Sequence, residues 1–350
     1  MPVKQRSIKA QQNVFRCELE TTAGLELVTK DELLALCGGS VSRIDVGDSY
    51  VQFDFQGNLK RLLKLKTAFA AYLVLSYHAP RPKALLGHEH FTRLMDTVKL
   101  IQTLGDSYNT FHISAAGSDS PVMNRIKQQL AEQSGLEIDE SGGDLFIRIR
   151  RAKVGWEVLL RISKRPLATR SWRVRDMEGA LNAPLAHAMM RLTRPSMTDE
   201  ILNLVCGSAT LMIERLELMP AKRIVGCDNS PYALENARAN LDAAEQMADI
   251  DLLQADVRAL PFGSNRFNIL CADLPFGQLV GSHQENILLY PALLKEAARV
   301  GASDAVFMVI THEVRLLEQL LQDNSCWHVE NVIKVSLRGL HPRIYQLRKQ

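Results

Sequence analysis

The chain has 350 residues, 46% of them hydrophobic and 23% charged, and a net charge of +3 at neutral pH. That length exceeds one ordinary core and predicts two or three domains, and the composition excludes disordered and fibrous classes. The near-neutral net charge by itself selects no partner.

Strand and helix patterns follow each other closely in the first half. "VFRCELE" reads as a strand, "TTAGLELVTKDELLALCG" as a capped helix ending at Gly38-Gly39, and "SRIDVGDSYVQFDF" as a hairpin. "NLKRLLKLKTAFAAYLVLSYHA" predicts a helix running into a strand, and a proline-rich bend follows at "APRPK". Next come a helix at "FTRLMDTVKLIQTLG", a strand at "TFHISAAG", a helix at "MNRIKQQLAEQSG" and a strand pair in "DLFIRIRRAKVGWEVLLRIS". The mixture predicts an α+β region made of two small units. His88 and His90 in "GHEH" have no further local ligand and read as loop residues, so no metal is expected. From Arg148 to Arg175 the chain carries ten Lys or Arg and one acid, Glu157. That run is either a solvated strand face or a surface for phosphates; the second reading singles out Lys164, Arg165, Arg170, Arg173 and Arg175.

The second half alternates short apolar strands with helices after a long helix, "APLAHAMMRLTR". "ILNLVC", "RIVGCD", "DIDLLQAD", "FNILCADLPF" and "DAVFMVIT" are the strands, with helices around 209–218, at "SPYALENARANLDAAEQ", at "LYPALLKEAARV" and at "EVRLLEQLLQ". This alternation predicts a doubly wound parallel sheet, and the terminal hairpin of "HVENVIKVSLRG" and "RIYQLRK" is expected to add an antiparallel edge strand. No run reaches the roughly 18 apolar residues of a membrane helix. The basic start "MPVKQRSIKAQQNVFR" lacks a secretory apolar stretch, so a cytoplasmic home and no membrane partner are expected. The six cysteines contain no CxxC pair, which favours buried free thiols.

Chemistry concentrates where these strands end, since ligands of open α/β sheets bind at the carboxyl edge. In "NLVCGSATLMIER" the strand gives way to Cys206, Gly207 and Ser208, where a small residue admits a ligand close to the backbone. Asp228 and Asn229 end the next strand, where a carboxylate can accept from two ribose hydroxyls; the bland alternative is a helix cap, a role better suited to Ser230. Asp256 and Val257 end the third, where a carboxylate can accept from an adenine amine. "CADLPFG" puts a carboxylate, a rigid carbonyl and a flat ring at a fourth edge.

Taken together, "LNLVCGSATLMIE", "GCDNSPYALENARANL", "ADVRALPF" and "CADLPFG" resemble the Rossmann-fold class I nucleic-acid amino methyltransferases, and within them the THUMP-domain RNA methyltransferases that make N2-methylguanosine in tRNA. The resemblance implies S-adenosylmethionine as cofactor, tRNA as partner, and leaves open a small activating protein. It implies a ferredoxin-like subdomain over 1–60, a THUMP-like RNA-binding domain over 61–165 and the methyltransferase domain over 166–350. It assigns Asn203, Cys206, Gly207, Ser208, Asp228, Asn229, Asp256 and Val257 to the cofactor. It assigns Asp273, Leu274, Pro275 and Phe276 to the target base, with Asp273 and the Leu274 carbonyl or nearby backbone accepting from the amine and Phe276 stacking on guanine. Gly277 and Gly281 in "GQLVGSH" are expected as hinges of a loop over the base.

Three residues depart from the family pattern. Asn203 stands where an aspartate is usual, Ala209 where a glycine is usual, and Leu274 where the first proline is usual. Ala209 is expected to push a methyl toward the cofactor. The alternatives are a ribosomal-RNA guanine-N2 methyltransferase and a degenerate RNA-binding homologue. A dehydrogenase is disfavoured, since "CGSATL" lacks G-x-G-x-x-G.

Overall fold

A computed structural model describes residues 14–105, 107–275, 282–337 and 339–350. Gly277, Gly281 and Phe276 lie outside them. The first half holds β1 (Phe15–Glu20), α1 (Glu26–Cys37), β2 (Val41–Gly47), β3 (Tyr50–Phe55), β4 (Ala70–Tyr77), α2 (His88–Gln102), β5 (Thr110–Ala115), α3 (Pro121–Ser134), β6 (Glu137–Ile138), β7 (Leu145–Arg151) and β8 (Trp156–Arg161). These strands form one eight-stranded sheet in the order β2-β3-β1-β4-β8-β7-β5-β6. Strict alternation builds its core. On β4, Ala71, Leu73, Leu75 and Tyr77 face one large apolar cluster, while Ala70, Tyr72 and Val74 face the other side.

The sheet runs through residue 60 without a break, because β1 pairs with β4 from Cys17↔Leu73 to Glu20↔Ala70. The expected division near 60 therefore falls inside one sheet over one continuous core. The helix expected at "NLKRLLKLK" is a 3-10 turn, Leu59–Lys64. Its buried residues Leu59 and Leu62, and Leu65 just beyond, recur every third position, and that spacing aligns on one face of a three-residue turn.

The second half holds α4 (Ala183–Leu192), β9 (Glu200–Asn203), α5 (Thr210–Leu216), β10 (Arg223–Asp228), α6 (Pro231–Ala243), β11 (Ile250–Gln254), β12 (Phe267–Asp273), α7 (His283–Val300), β13 (Gly301–Thr311), α8 (Val314–Gln322), β14 (Trp327–Lys334) and β15 (Arg343–Lys349). Their sheet has the order β11-β10-β9-β12-β13-β15-β14, parallel except at β15, which runs antiparallel to both neighbours. Both faces are covered, which is why β12 reads as a continuous apolar run. Ile201, Cys271 and Met308 pack with residues of α4, α5 and α6, whereas Leu202, Leu270 and Phe307 pack with α7 and α8. Strand order reverses between β9 and β12, and such a switch point opens a crevice at the carboxyl ends of the strands.

Helix α7 starts six residues before the helix expected at "LYPALLKEAARV". The Ser282 side chain caps it, accepting from Glu285 N at 3.3 Å, and donates to the Glu285 carboxylate at 3.0 Å. This Ser-x-x-Glu pairing carries the helix into the crevice before Pro291 is reached. No described helix is long and apolar enough to cross a membrane. All six cysteines are free, and five are buried.

Candidate active site

The switch point opens into a cleft of about 470 Å³, bounded by the ends of β9, β10, β11 and β12, the start of α7 and residues 177–181 of the segment entering the domain. Two of its edges carry carboxylates in contrasting surroundings.

At the first edge, Asp228 ends β10. One oxygen accepts from Gly207 N at 2.9 Å and the other from Ser230 N at 3.0 Å. The carboxylate therefore orders the turn after β9 while its half-exposed side lines the cleft with Asn229. Ser230 is the helix cap, accepting from Ala233 N at 3.3 Å, so Asp228 does not fill that role. Gly207 has φ +50°, the left-handed region that favours glycine, and a Cβ there would lie 3.2 Å from the methyl of the flexible Met177 side chain. Cys206 is buried and donates its amide to Cys227 O at 2.8 Å; burial holds its thiol well above the usual range. Ser208 is buried too, and its carbonyl is held by Asn240 of α6 at 3.1 Å.

Ala209 is a correction. It adopts φ +71° and is fully buried within the apolar core, and it is not among the residues that line the cleft. The methyl costs about 1 kcal/mol of left-handed backbone strain rather than crowding a ligand. Asn203, 1% exposed, lines the cleft, and its Oδ1 is buried with no partner among the described residues. A polar ligand in the cleft could pair with this atom. At the end of β11, Asp256 lines the cleft beside buried Val257, but both its oxygens are engaged by Arg258, one at 2.6 Å. Those hydrogen bonds hold its carboxyl below the usual range.

At the opposite edge, Asp273 ends β12. Burial alone raises its carboxyl from 3.8 to about 7. Leu274, 2% exposed, donates its amide to Ile310 O at 3.0 Å, which continues the ladder one residue past the strand. The Pro275 carbonyl accepts from Tyr290 Oη at 2.8 Å and from Asn286 Nδ2 at 3.1 Å. The cleft thus brings together Asn203, Cys206, Gly207, Ser208, Asp228, Asn229, Asp256, Val257, Asp273, Leu274 and Pro275. It also contains residues that sequence reading passed over: Met177 to Leu181, and Glu285, Asn286, Leu288 and Leu289 of α7. Ser-x-x-Glu at 282–285 was the visible signal for the second group; the first group gives none.

The basic residues separate. Arg165 and Arg175 are exposed. Lys164 reaches Ser107 O and Asp144, both at 3.2 Å, at the side of a second groove that also takes in Lys66, Arg165 and Ser171. Arg170 is a correction: its side chain is 4% exposed, pairs with Glu214 at 2.7 Å and donates to Lys66 O at 2.8 Å, so it cannot reach a phosphate. Arg173 is likewise turned inward, donating to Leu181 O at 2.7 Å and Thr210 Oγ1 at 3.1 Å. The Arg170–Glu214 pair continues to His187 Nδ1 at 2.8 Å, and His187 Nε2 lies 3.7 Å from Glu32 of α1. Burial opposes charge on Glu214, but the His187 and Arg170 contacts prevail and hold its carboxyl below the usual range. This buried polar chain links α4 and α5 of the second half to α1 of the first.

Comparison with known proteins agrees with this arrangement. Residues 170–343 match a family described as RMKL-like, methyltransferase domain. A mouse protein named tRNA (guanine(6)-N(2))-methyltransferase THUMP3 is 32% identical over 185 residues, 48% of this chain and 36% of its own length. A bovine protein named U6 snRNA (guanine-N(2))-methyltransferase THUMPD2 is 29% identical over 199 residues, 54% of this chain and 39% of its own. The alignments thus span little more than a third of those relatives. The crystal structure of TrmN from Thermus thermophilus superposes with a TM-score of 0.80 at 22% identity, covering 97% of this chain and 100% of that one, so both halves share its fold.

Proposed function

We propose that the protein, whose residues 170–343 match the RMKL-like methyltransferase-domain family, transfers a methyl group from S-adenosylmethionine to the exocyclic N2 amine of a guanosine in tRNA. The observation that carries the reading is one cleft with a ribose-type acceptor, Asp228, at one edge and a partly buried carboxylate of raised pKa beside a backbone strap, Asp273–Leu274–Pro275, at the other. The curated relatives act on guanine N2, which is the amine such a strap suits.

The cofactor supplies an electrophilic methyl on a sulfonium; the protein's own residues do the rest. Asp228, oriented by two backbone amides, keeps lone pairs for vicinal hydroxyls. Asn203 offers its unpartnered oxygen, and Val257 an apolar wall. A guanine amine is a weak nucleophile because its lone pair is delocalised into the ring. Two fixed acceptors, Asp273 and the Leu274 carbonyl, direct its hydrogens away and its lone pair toward the methyl group, so positioning provides much of the rate. A paired guanine is inaccessible, and the base enters unpaired or flipped. After transfer the surplus proton can rest on Asp273, whose carboxyl sits at about 7. Phe276, proposed to stack on the base, lies outside the described residues. Lys164, Arg165 and Arg175 remain the proposed phosphate contacts, and a cytoplasmic location is part of the same reading.

Isothermal calorimetry with S-adenosylmethionine tests the cofactor half. Wild type is expected to bind and Asp228→Ala to lose that binding; a wild type that does not bind, with or without tRNA, leaves an RNA-binding homologue instead. Parallel assays on tRNA and U6 snRNA separate the two RNA classes named for the relatives.

A further inference from the structure

We propose that Tyr290 and Asn286 are positioning residues for methyl transfer: by occupying both lone pairs of the Pro275 carbonyl, they hold the strap so that the Leu274 carbonyl stands beside Asp273. The inference rests on the acceptor role given to that strap.

Proline has no N–H, so beyond the Leu274 amide bond to Ile310 the strap cannot be anchored through its next amide. Its carbonyl is the remaining handle, and α7 takes it with two donors at 2.8 and 3.1 Å. A carbonyl has two lone pairs, so Pro275 is then saturated as an acceptor. Among the described residues no hydrogen bond ends on the Leu274 carbonyl.

The direction of the supporting bonds is fixed by elimination. Tyr290 has one hydroxyl hydrogen and gives it to Pro275, so the 2.8 Å contact with Thr311 Oγ1 must be donated by Thr311. Thr311 Oγ1 in turn accepts from Glu313 N at 2.9 Å. A chain of donors, Glu313 to Thr311 to Tyr290 to Pro275, therefore runs from the end of β13 into the strap. Tyr290 is fully buried, so its hydroxyl has no water to exchange with.

Asn286 argues against a merely structural purpose. It is 1% exposed, and its Oδ1 is buried with no partner among the described residues. An apolar residue of the same shape would relieve that orphaned acceptor. The fold keeps an unfavourable oxygen in place to retain the amide donor on Pro275.

Two variants test this, Tyr290→Phe and Asn286→Leu, each read by amide hydrogen exchange across 267–275, cofactor calorimetry and steady-state methylation. Exchange in the strap is expected to quicken about tenfold, while cofactor affinity and the RNA KM stay within about twofold. Against the RNA that wild type methylates, kcat is expected to fall about ten- to a hundredfold, the scale of a misplaced reacting group. Asn286→Leu should do so with a melting temperature equal to or above wild type, where a structural role predicts a fall. Unchanged strap exchange in both variants overturns the inference, and so does a loss of cofactor affinity in step with kcat. If wild type methylates no guanosine, the proposed function fails, while the exchange measurement still decides whether α7 holds the strap.

Discussion

The two edges of the cleft treat the same functional group in opposite ways. At β10, Asp228 is surrounded by donors: two backbone amides meet its oxygens, and it fixes the turn that follows β9. At β12, Asp273 is partly buried, and desolvation alone acts on its carboxyl, which moves to about 7. One carboxylate organises backbone through two amide hydrogen bonds, and the other is an acceptor poised between its two states near neutral pH. The contrast matches the two tasks of a transferase, holding a cofactor that must not shift and receiving a proton from an amine that must react.

A third carboxylate, Glu214, gives the contrast its control and the largest expected effect. It is fully buried and paired with Arg170 and His187, away from either edge. Arg170→Met should cost about 3 kcal/mol of stability, since buried Glu214 then keeps His187 as its one side-chain partner among the described residues, read as a lowered denaturation midpoint. If the midpoint does not move, the buried Arg170–Glu214–His187 chain does not join the halves as described. Asp273→Ala should lower kcat by about 10²–10³-fold with cofactor affinity intact, the usual scale for losing one fixed group at the reacting centre. Equal loss of cofactor binding would erase the distinction between the edges. Asp228→Ala should weaken the cofactor about a hundredfold, since it removes a charged acceptor and leaves Gly207 N–H unpaired. The RNA KM should not change.

The pH profile is the gentlest test. With Asp273 titrating at about 7 in the free protein, kcat/KM should rise roughly tenfold per unit below that value and level off above it. Stability carries the opposite sign. The folded value is raised above the ordinary 3.8, so the unfolded chain binds fewer protons between about 4 and 7. Ionisation therefore costs the fold stability as pH rises through that window, and Asp273→Asn should flatten both curves.

What the sequence revealed follows from what is local. Apolar runs ending in an acid located Asp228, Asp256 and Asp273, because a strand terminus and its side chain are set within a few residues. Alternation of strand and helix foretold the parallel sheet and its antiparallel edge. Arg170 shows where locality fails: its charge is visible in the chain, but its partner Glu214 lies 44 positions away, and only the fold turns a cation inward. The wall made by Met177 to Leu181 is hidden for the same reason, since Asn240 of α6 ties it down through Arg175 N and O at 2.9 and 3.0 Å. Leu59–Lys64 was misread because a short apolar period of three resembles the start of a helix. The early start of α7 is legible in Ser282 and Glu285, whose side chains cap the helix six residues before "LYPALLKEAARV".

The most direct test of the account is nucleoside analysis of unmodified tRNA after incubation with the purified protein and methyl-labelled S-adenosylmethionine, with Asp273→Ala alongside. Label recovered as N2-methylguanosine from wild type, and absent with the variant while its cofactor binding persists, is the predicted result. Label on another atom, or a wild type that binds cofactor yet labels no guanosine in tRNA or U6 snRNA, would contradict it.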